Sequence, residues 1–149
     1  MPIGRSMPSS ISLSNPFDFF GDPPMDEQRH ETGLGIRKEV LGAEHVERAM
    51  ESADDFNRDF QRIVNEYCWG EVWGSPHLDR KQRSILNLGM LAALGRSHEF
   101  ELHFRGAIRN GLSREELKDV LQQIAIYCGI PAGIESFRIA RRVLDEMKD

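Results

Sequence analysis

Cysteine is scarce in this chain. Of 149 residues only Cys68 and Cys128 carry a thiol. They form no CxxC pair and no histidine stands at the spacing of a zinc partner, so a disulfide framework and a structural zinc site both lose support. A reducing, cytoplasmic setting is the expectation. No stretch approaches the roughly 18–20 apolar residues of a membrane span, and the N-terminus lacks the basic flank and apolar core of a secretory signal. Basic residues are the minority among the charges: 19 Lys and Arg against 24 Asp and Glu give a net charge of −5 and a pI near 5.6. That balance argues against nucleic acid or an anionic membrane surface as the main partner, while a locally positive pocket could still take a small anion. Alternating apolar and polar runs long enough for strands are missing, and so are repeats of 20 to 50 residues.

What is present is an ordinary globular composition, 40% apolar and 29% charged, enough for one core without a metal or disulfide staple. Residues 1–34 differ from the rest. They hold five of the seven prolines, serines at 6, 9, 10, 12 and 14, and a string of acids from Asp18 to Glu31. That composition resists regular structure and reads as an extended arm, whose Phe17, Phe19 and Phe20 would either dock on a neighbour or belong to a disordered extension. From residue 36 onward the periodicity is helical. Helices are expected over 43–51 and 54–67, the second with Phe56, Phe60, Ile63, Val64 and Tyr67 as its apolar face. Trp69 to Pro76, with two glycines and a proline, reads as a break. A capping box at Asp79 and Gln82 opens a helix apolar on nearly every side from Ile85 to Leu94, which places it centrally. Helices over 97–110, 113–128 and from Pro131 to about Met147 complete a compact all-α bundle of six helices.

Several residues stand out as candidates for chemistry. His103 lies three residues after Phe100 and four before Ala107, on the apolar face of its helix, where it is either a satisfied core histidine or a catalytic one. Glu71 is bracketed by Trp69 and Trp73. If the indoles enclose it the carboxyl loses hydration and becomes a proton donor near neutral pH; otherwise it is a solvated loop glutamate. Arg80 and Arg83 occupy the first turn of a helix, against the helix dipole. A bound anion would account for that placement, and a surface salt bridge would do so equally. His45 is a further, weaker anion donor or a packing histidine. The two cysteines border apolar faces with no activating cation at helical spacing and read as structural. No metal-binding or cofactor motif is found.

Several runs of residues are recognisable together. Gly35-Ile36-Arg37-Lys38-Glu39-Val40-Leu41-Gly42, Tyr67-Cys68-Trp69-Gly70-Glu71-Val72-Trp73, Leu78-Asp79-Arg80-Lys81-Gln82-Arg83-Ser84, Leu102-His103-Phe104-Arg105-Gly106-Ala107, Asn110-Gly111-Leu112-Ser113 and Tyr127-Cys128-Gly129-Ile130-Pro131-Ala132 closely resemble the carboxymuconolactone decarboxylase family, in its order and spacing, over about residues 35 to 149. The resemblance implies the all-helical fold of alkylhydroperoxidase D-like proteins, assembled as trimers or hexamers. Redox relatives place a CxxC pair just ahead of the histidine matched by His103. Here those two positions are Arg96 and Glu99, so dithiol chemistry is not available at that site.

The resemblance further implies a cofactor-free decarboxylation of 4-carboxymuconolactone in protocatechuate catabolism. The electron pair released with carbon dioxide flows through a ring double bond into the lactone carbonyl, and the resulting dienolate is protonated on carbon to give 3-oxoadipate enol-lactone. The protein must supply a donor for the oxyanion, a proton source, a cation for the side-chain carboxylate and a dry pocket. By resemblance His103 and Glu71 form the catalytic pair, with Arg80 and, secondarily, His45 as carboxylate anchors. The competing readings are a related decarboxylase for another lactone or 3-oxo acid, a non-catalytic helical oligomer, and a thiol peroxidase using Cys68 or Cys128.

Overall fold

The computed structural model describes residues 26–147. Among them the chain forms seven α-helices and no strand: α1 Glu27–Leu41, α2 Ala43–Glu51, α3 Arg58–Ile63, α4 Arg80–Ala93, α5 Ser97–Arg109, α6 Arg114–Tyr127 and α7 Ile130–Glu146. Between α3 and α4, α3 runs on without interruption into a π-helical segment, Val64–Val72. The all-α expectation holds, whereas the count of six does not. The additional helix is α1, so residues 27–34, expected to lie in an extended arm, are helical. The remainder of that arm, with Phe17, Phe19 and Phe20, lies outside the described residues.

Why α1 escapes an apolar-periodicity reading is plain from what it buries. Its inward residues are Gly33, Arg37, Val40 and Leu41, at helical spacing, but two of the four are not hydrophobic. Asp26 caps it, accepting from the Arg29 amide at 3.0 Å. The second departure is at Trp69 to Pro76. Gly70 does not break the helix; the winding loosens instead, and the Trp73 amide donates to the Cys68 carbonyl at 3.0 Å, five residues back.

Both departures have one cause. α1 packs along the π-helical segment more intimately than any other pair of elements. A Cβ at Gly33 would overlap the Asn65 carbonyl and stand 2.6 Å from the Gly70 amide nitrogen, and a Cβ at Gly70 would stand 2.5 Å from the Arg29 carbonyl. Glycine at 33 and 70 therefore lets two backbones touch. Within this seam the Arg37 guanidinium is buried and donates to Gln61 Oε1 at 2.8 Å and to Asn65 Oδ1 at 2.9 Å. No carboxylate pairs with it among the described residues, and burial lowers its pKa.

The apolar interior has two parts. Leu88, Phe100, Phe104, Leu117, Leu121, Ile124, Ile139 and Val143 join α4 to α7 in one. Val40, Leu41, Val46, Trp69 and Trp73 join α1, α2 and the π-helical segment in the other. Helix α5 belongs to both: Phe100 and Phe104 face the first, and Leu102 packs on the second. The capping boxes at Asp79 with Gln82 and at Ser113 with Glu116 form as the sequence indicates. Of the expected stripe Phe56, Phe60, Ile63, Val64 and Tyr67, Val64 alone packs on a core. Phe56 is 95% exposed, and Phe60, Ile63 and Tyr67 are exposed as well, because the seam buries Asn65, Glu66 and Trp69 and turns that stripe outward. Helix α4 likewise buries Arg83, Ser84 and Leu88 but leaves Ile85, Leu86, Met90 and Leu94 open, so it is not enclosed on all sides. No helix among the described residues is long and apolar enough to cross a membrane.

The two glycines of α1 separate packing from propensity. Gly33→Ala places a methyl into backbone and should destabilise the fold by about 2 kcal/mol or more. Gly35→Ala meets nothing within 4 Å and should gain about 0.5–1 kcal/mol from helix propensity. Urea unfolding of the two variants should therefore show shifts of opposite sign.

Candidate active site

Four residues apart, Trp69 and Trp73 share one side of their helix, both buried, with exposures of 3% and 6% and ring centroids 4.9 Å apart. His103 projects from α5 onto this pair. Its imidazole lies parallel to Trp69, at 6.1 Å and an interplanar angle of 2°, and 6.1 Å from Trp73 at 25°. Each indole buries some 150–250 Å² of surface, so the nest is held by apolar burial of roughly 4–6 kcal/mol per tryptophan. His103 is thus a side chain at the junction of the two cores, and its polar contact is to Asn87 of α4, whose amide nitrogen stands 3.4 Å from Nδ1.

Burial is the main influence on this imidazole. It drives the pKa down from the ordinary 6.5 to about 4, against the opposing pull of Glu99. The difference is worth about 3 kcal/mol against the imidazolium. His103 is accordingly neutral at physiological pH, able to donate one hydrogen bond and accept another, but not to act as a standing cationic acid.

The other candidates lie apart from it. Glu71 sits two residues from each tryptophan, which puts it on the far side of the helix. Its side chain is 62% exposed and pairs with Arg29 Nε at 3.3 Å. The indoles do not enclose it, so the condition for a desolvated carboxyl is not met. Arg80 pairs with Glu39 of α1, the ordinary salt bridge that the sequence left open. Its neighbour Arg83 is buried and donates to the Ser75 carbonyl at 3.0 Å. His45, half-buried on α2, has its pKa lowered by burial and then by Arg37, Arg48, His98 and Arg109. Those neighbours make its surroundings positive, which suits a carboxylate. No hydrogen bond or ion pair among the described residues joins any two of His103, Glu71, Arg80 and His45.

Cavities lie elsewhere. A groove of about 920 Å³ between α6 and α7 is floored by Leu117, Leu121 and Phe137 and edged by Arg114, Lys118 and Arg141. A recess of about 170 Å³ lies among Leu91, Phe100, Ser136 and Ile139. None of the four candidates lines either. Among the described residues no group of three or more His, Cys, Asp or Glu could hold a metal ion. Cys68 reaches solvent in part, yet desolvation pushes its thiol upward despite Arg37, which does not favour a reactive thiolate.

Sequence reasoning missed Asn87 and the role of the tryptophans as the platform for His103. A signal for Asn87 was present: it is the lone amide in the apolar run Ile85 to Leu94, and a polar side chain in such a run needs a partner.

The lowered His103 pKa has a consequence for stability. The unfolded chain binds a proton here near pH 6.5 and the folded chain only near pH 4, so between these values unfolding takes up protons and stability falls as pH falls. Replacing His103 by Gln removes that contribution. Chemical denaturation at pH 7 and pH 4.5 should show a loss on acidification smaller in His103→Gln than in the parent by about 2–3 kcal/mol.

Comparison with known proteins agrees with this architecture. The model of the carboxymuconolactone decarboxylase family matches residues 58–142, from α3 through the indole pair and His103 into α7. The chain is 41% identical over 122 residues to the 4-carboxymuconolactone decarboxylase of Acinetobacter baylyi, covering 82% of this chain and 91% of that protein. It is 42% identical over 117 residues to the nitrosuccinic acid decarboxylase npaB of Metarhizium robertsii, covering 78% and 82%. A 48-residue 4-carboxymuconolactone decarboxylase sequence from Pseudomonas putida is 42% identical over its whole length, 32% of this chain. With the match running across the segments that build the indole nest and the helix bearing His103, the chain belongs to the carboxymuconolactone decarboxylase family.

Proposed function

We propose that this carboxy-lyase converts 4-carboxymuconolactone to 3-oxoadipate enol-lactone and carbon dioxide without a cofactor, in protocatechuate catabolism. The observation that carries the reading is a neutral imidazole seated on two buried indoles. Loss of carbon dioxide leaves an electron pair that the lactone carbonyl accepts, and charge develops on that oxygen. An N–H donor in an apolar setting stabilises it far better than one in water. The same indoles exclude water from the departing carboxylate, which favours the less polar transition state.

In this reading His103 donates to the developing enolate oxygen. Arg80 takes the side-chain carboxylate, with His45 adding to the positive field. The Arg80–Glu39 pair is no obstacle, since an exposed ion pair of this kind is worth only about 0–1 kcal/mol and a substrate carboxylate can replace Glu39. Glu71, beside Arg29 and open to water, suits the relay of a solvent proton to the dienolate carbon. The exposed Phe56, Phe60, Leu86 and Ile126 support assembly into a trimer or hexamer that covers them and completes the pocket. A cytoplasmic location is part of the same reading.

A second substrate class has support. The names of the two longer matches share a chemistry: each substrate is a dicarboxylate whose departing carboxylate sits on a saturated carbon from which the released electron pair can flow into a sink, a lactone carbonyl through a double bond in one and a nitro group directly in the other. Incubating the purified protein with each compound and following carbon dioxide release decides between them. Turnover of the lactone is expected, and no turnover of it would overturn the main reading. His103→Ala should lower lactone turnover by a factor on the order of a hundred or more. Glu71→Gln should cost less than that, because water can substitute for a relay.

A further inference from the structure

We propose that Asn87 is a positioning residue for His103: its side-chain amide donates to Nδ1 and thereby holds the imidazole in the tautomer that carries its proton on Nε2. The inference deepens the reading of His103 as a hydrogen-bond donor and rests on it for its catalytic meaning, though not for its geometry. The Asn87 amide nitrogen is 3.4 Å from Nδ1. That nitrogen has only hydrogens to offer, so Nδ1 must accept. A neutral imidazole has a single N–H, and once Nδ1 is an acceptor the proton belongs to Nε2.

Among the described residues no other hydrogen bond to the ring is formed, and Glu99, four residues earlier on α5, acts on it through its charge. The indoles meet the ring as stacked planes, with offset faces rather than hydrogen-bonding edges. Ser84, one turn before Asn87 on α4, is engaged by the Asn110 amide at 2.9 Å. Asn87 is therefore the polar side chain in hydrogen-bonding reach of the ring, and it stands on a helix whose start is fixed by the Asp79 capping box.

The choice of tautomer decides the chemistry. With Nε2–H the ring offers a donor to an oxyanion. With Nδ1–H it would offer a lone pair instead, which repels both the substrate carboxylate and the dienolate. Asn87 thus separates a donor site from a basic one, without itself touching the substrate.

The test is nitrogen-15 NMR on the whole protein with labelled histidine at pH 7, where a protonated ring nitrogen and a bare one have well-separated shifts. His103→Gln identifies the resonance among the five histidines. In the parent, Nε2 is expected to be the protonated nitrogen and Nδ1 the bare one, a reading that requires no variant of Asn87 to fold. Asn87→Asp, which can only accept, should put a proton on Nδ1, as the Nδ1–H tautomer or as the imidazolium that a carboxylate partner favours, and Asn87→Leu should leave a mixture of neutral tautomers. Turnover in Asn87→Asp should fall by roughly a hundredfold to ten-thousandfold, the range between loss of acid–base assistance and a wrong tautomer at a catalytic histidine. An Nδ1–H tautomer in the parent, or a tautomer unchanged in a folded Asn87→Leu protein, overturns the proposal. Inactivity of the parent on the lactone leaves the NMR result standing and counts only against the functional reading, so the two failures are distinguishable.

Discussion

Two helix backbones in contact set the terms for the rest of this structure. At Gly33 and Gly70 there is no room for a side chain, and α1 therefore lies flush along the π-helical segment. The seam buries Asn65, Glu66 and Trp69 and turns Tyr67 and Glu71 outward. Four residues on, Trp73 joins Trp69 on the inward side. The indole pair becomes a floor, and α5, shared between the two apolar cores, lays His103 on it. The imidazole loses hydration because of where the backbones meet, and Glu99 is the charged group that opposes the effect.

Desolvation then outweighs electrostatics at the ring. Glu99 favours the imidazolium and burial opposes it, and the net result is a pKa near 4. A histidine paired with a carboxylate would be charged and suited to acid catalysis. One stacked on indoles is neutral and suited to hydrogen bonding. Decarboxylation of a substrate that carries its own electron sink asks for the second. The reaction adds no proton until carbon dioxide has gone, and the negative charge that appears is delocalised on oxygen. In the proposed reading Arg80 takes the substrate's side-chain carboxylate and the positive surroundings of His45 add to the attraction, without adding charge next to the ring.

Much of the fold was legible in the sequence, and the parts that were not share a physical reason. Helices α4 to α7 bury leucine, isoleucine and phenylalanine at regular spacing, and α4 and α6 open with side-chain caps, so pattern and structure coincide. Helix α1 buries a glycine and an arginine, residues that carry no hydrophobic signal. Gly70 reads as a breaker by composition, whereas its missing side chain is a packing requirement met inside a helix. The stripe from Phe56 to Tyr67 has core-like spacing yet all of it but Val64 faces outward, because spacing reports a common face without saying what that face meets. His103 on an apolar face and its closeness to tryptophan could be suspected from sequence. Its neutral state could not, since that depends on the stacking of residues 30 and more positions apart. Glu71 illustrates the converse: proximity to Trp69 and Trp73 along the chain puts it on the opposite side of the helix from them.

The central claim is that the neutral imidazole is the working form. The most direct check is the pH dependence of kcat/KM for lactone decarboxylation, which reports ionisations of the free enzyme. The account predicts a value nearly constant from about pH 5.5 to about pH 8, because His103 stays uncharged throughout that window. A tenfold fall per pH unit on the alkaline side of about 6.5 would identify the imidazolium as the required species, and would contradict it.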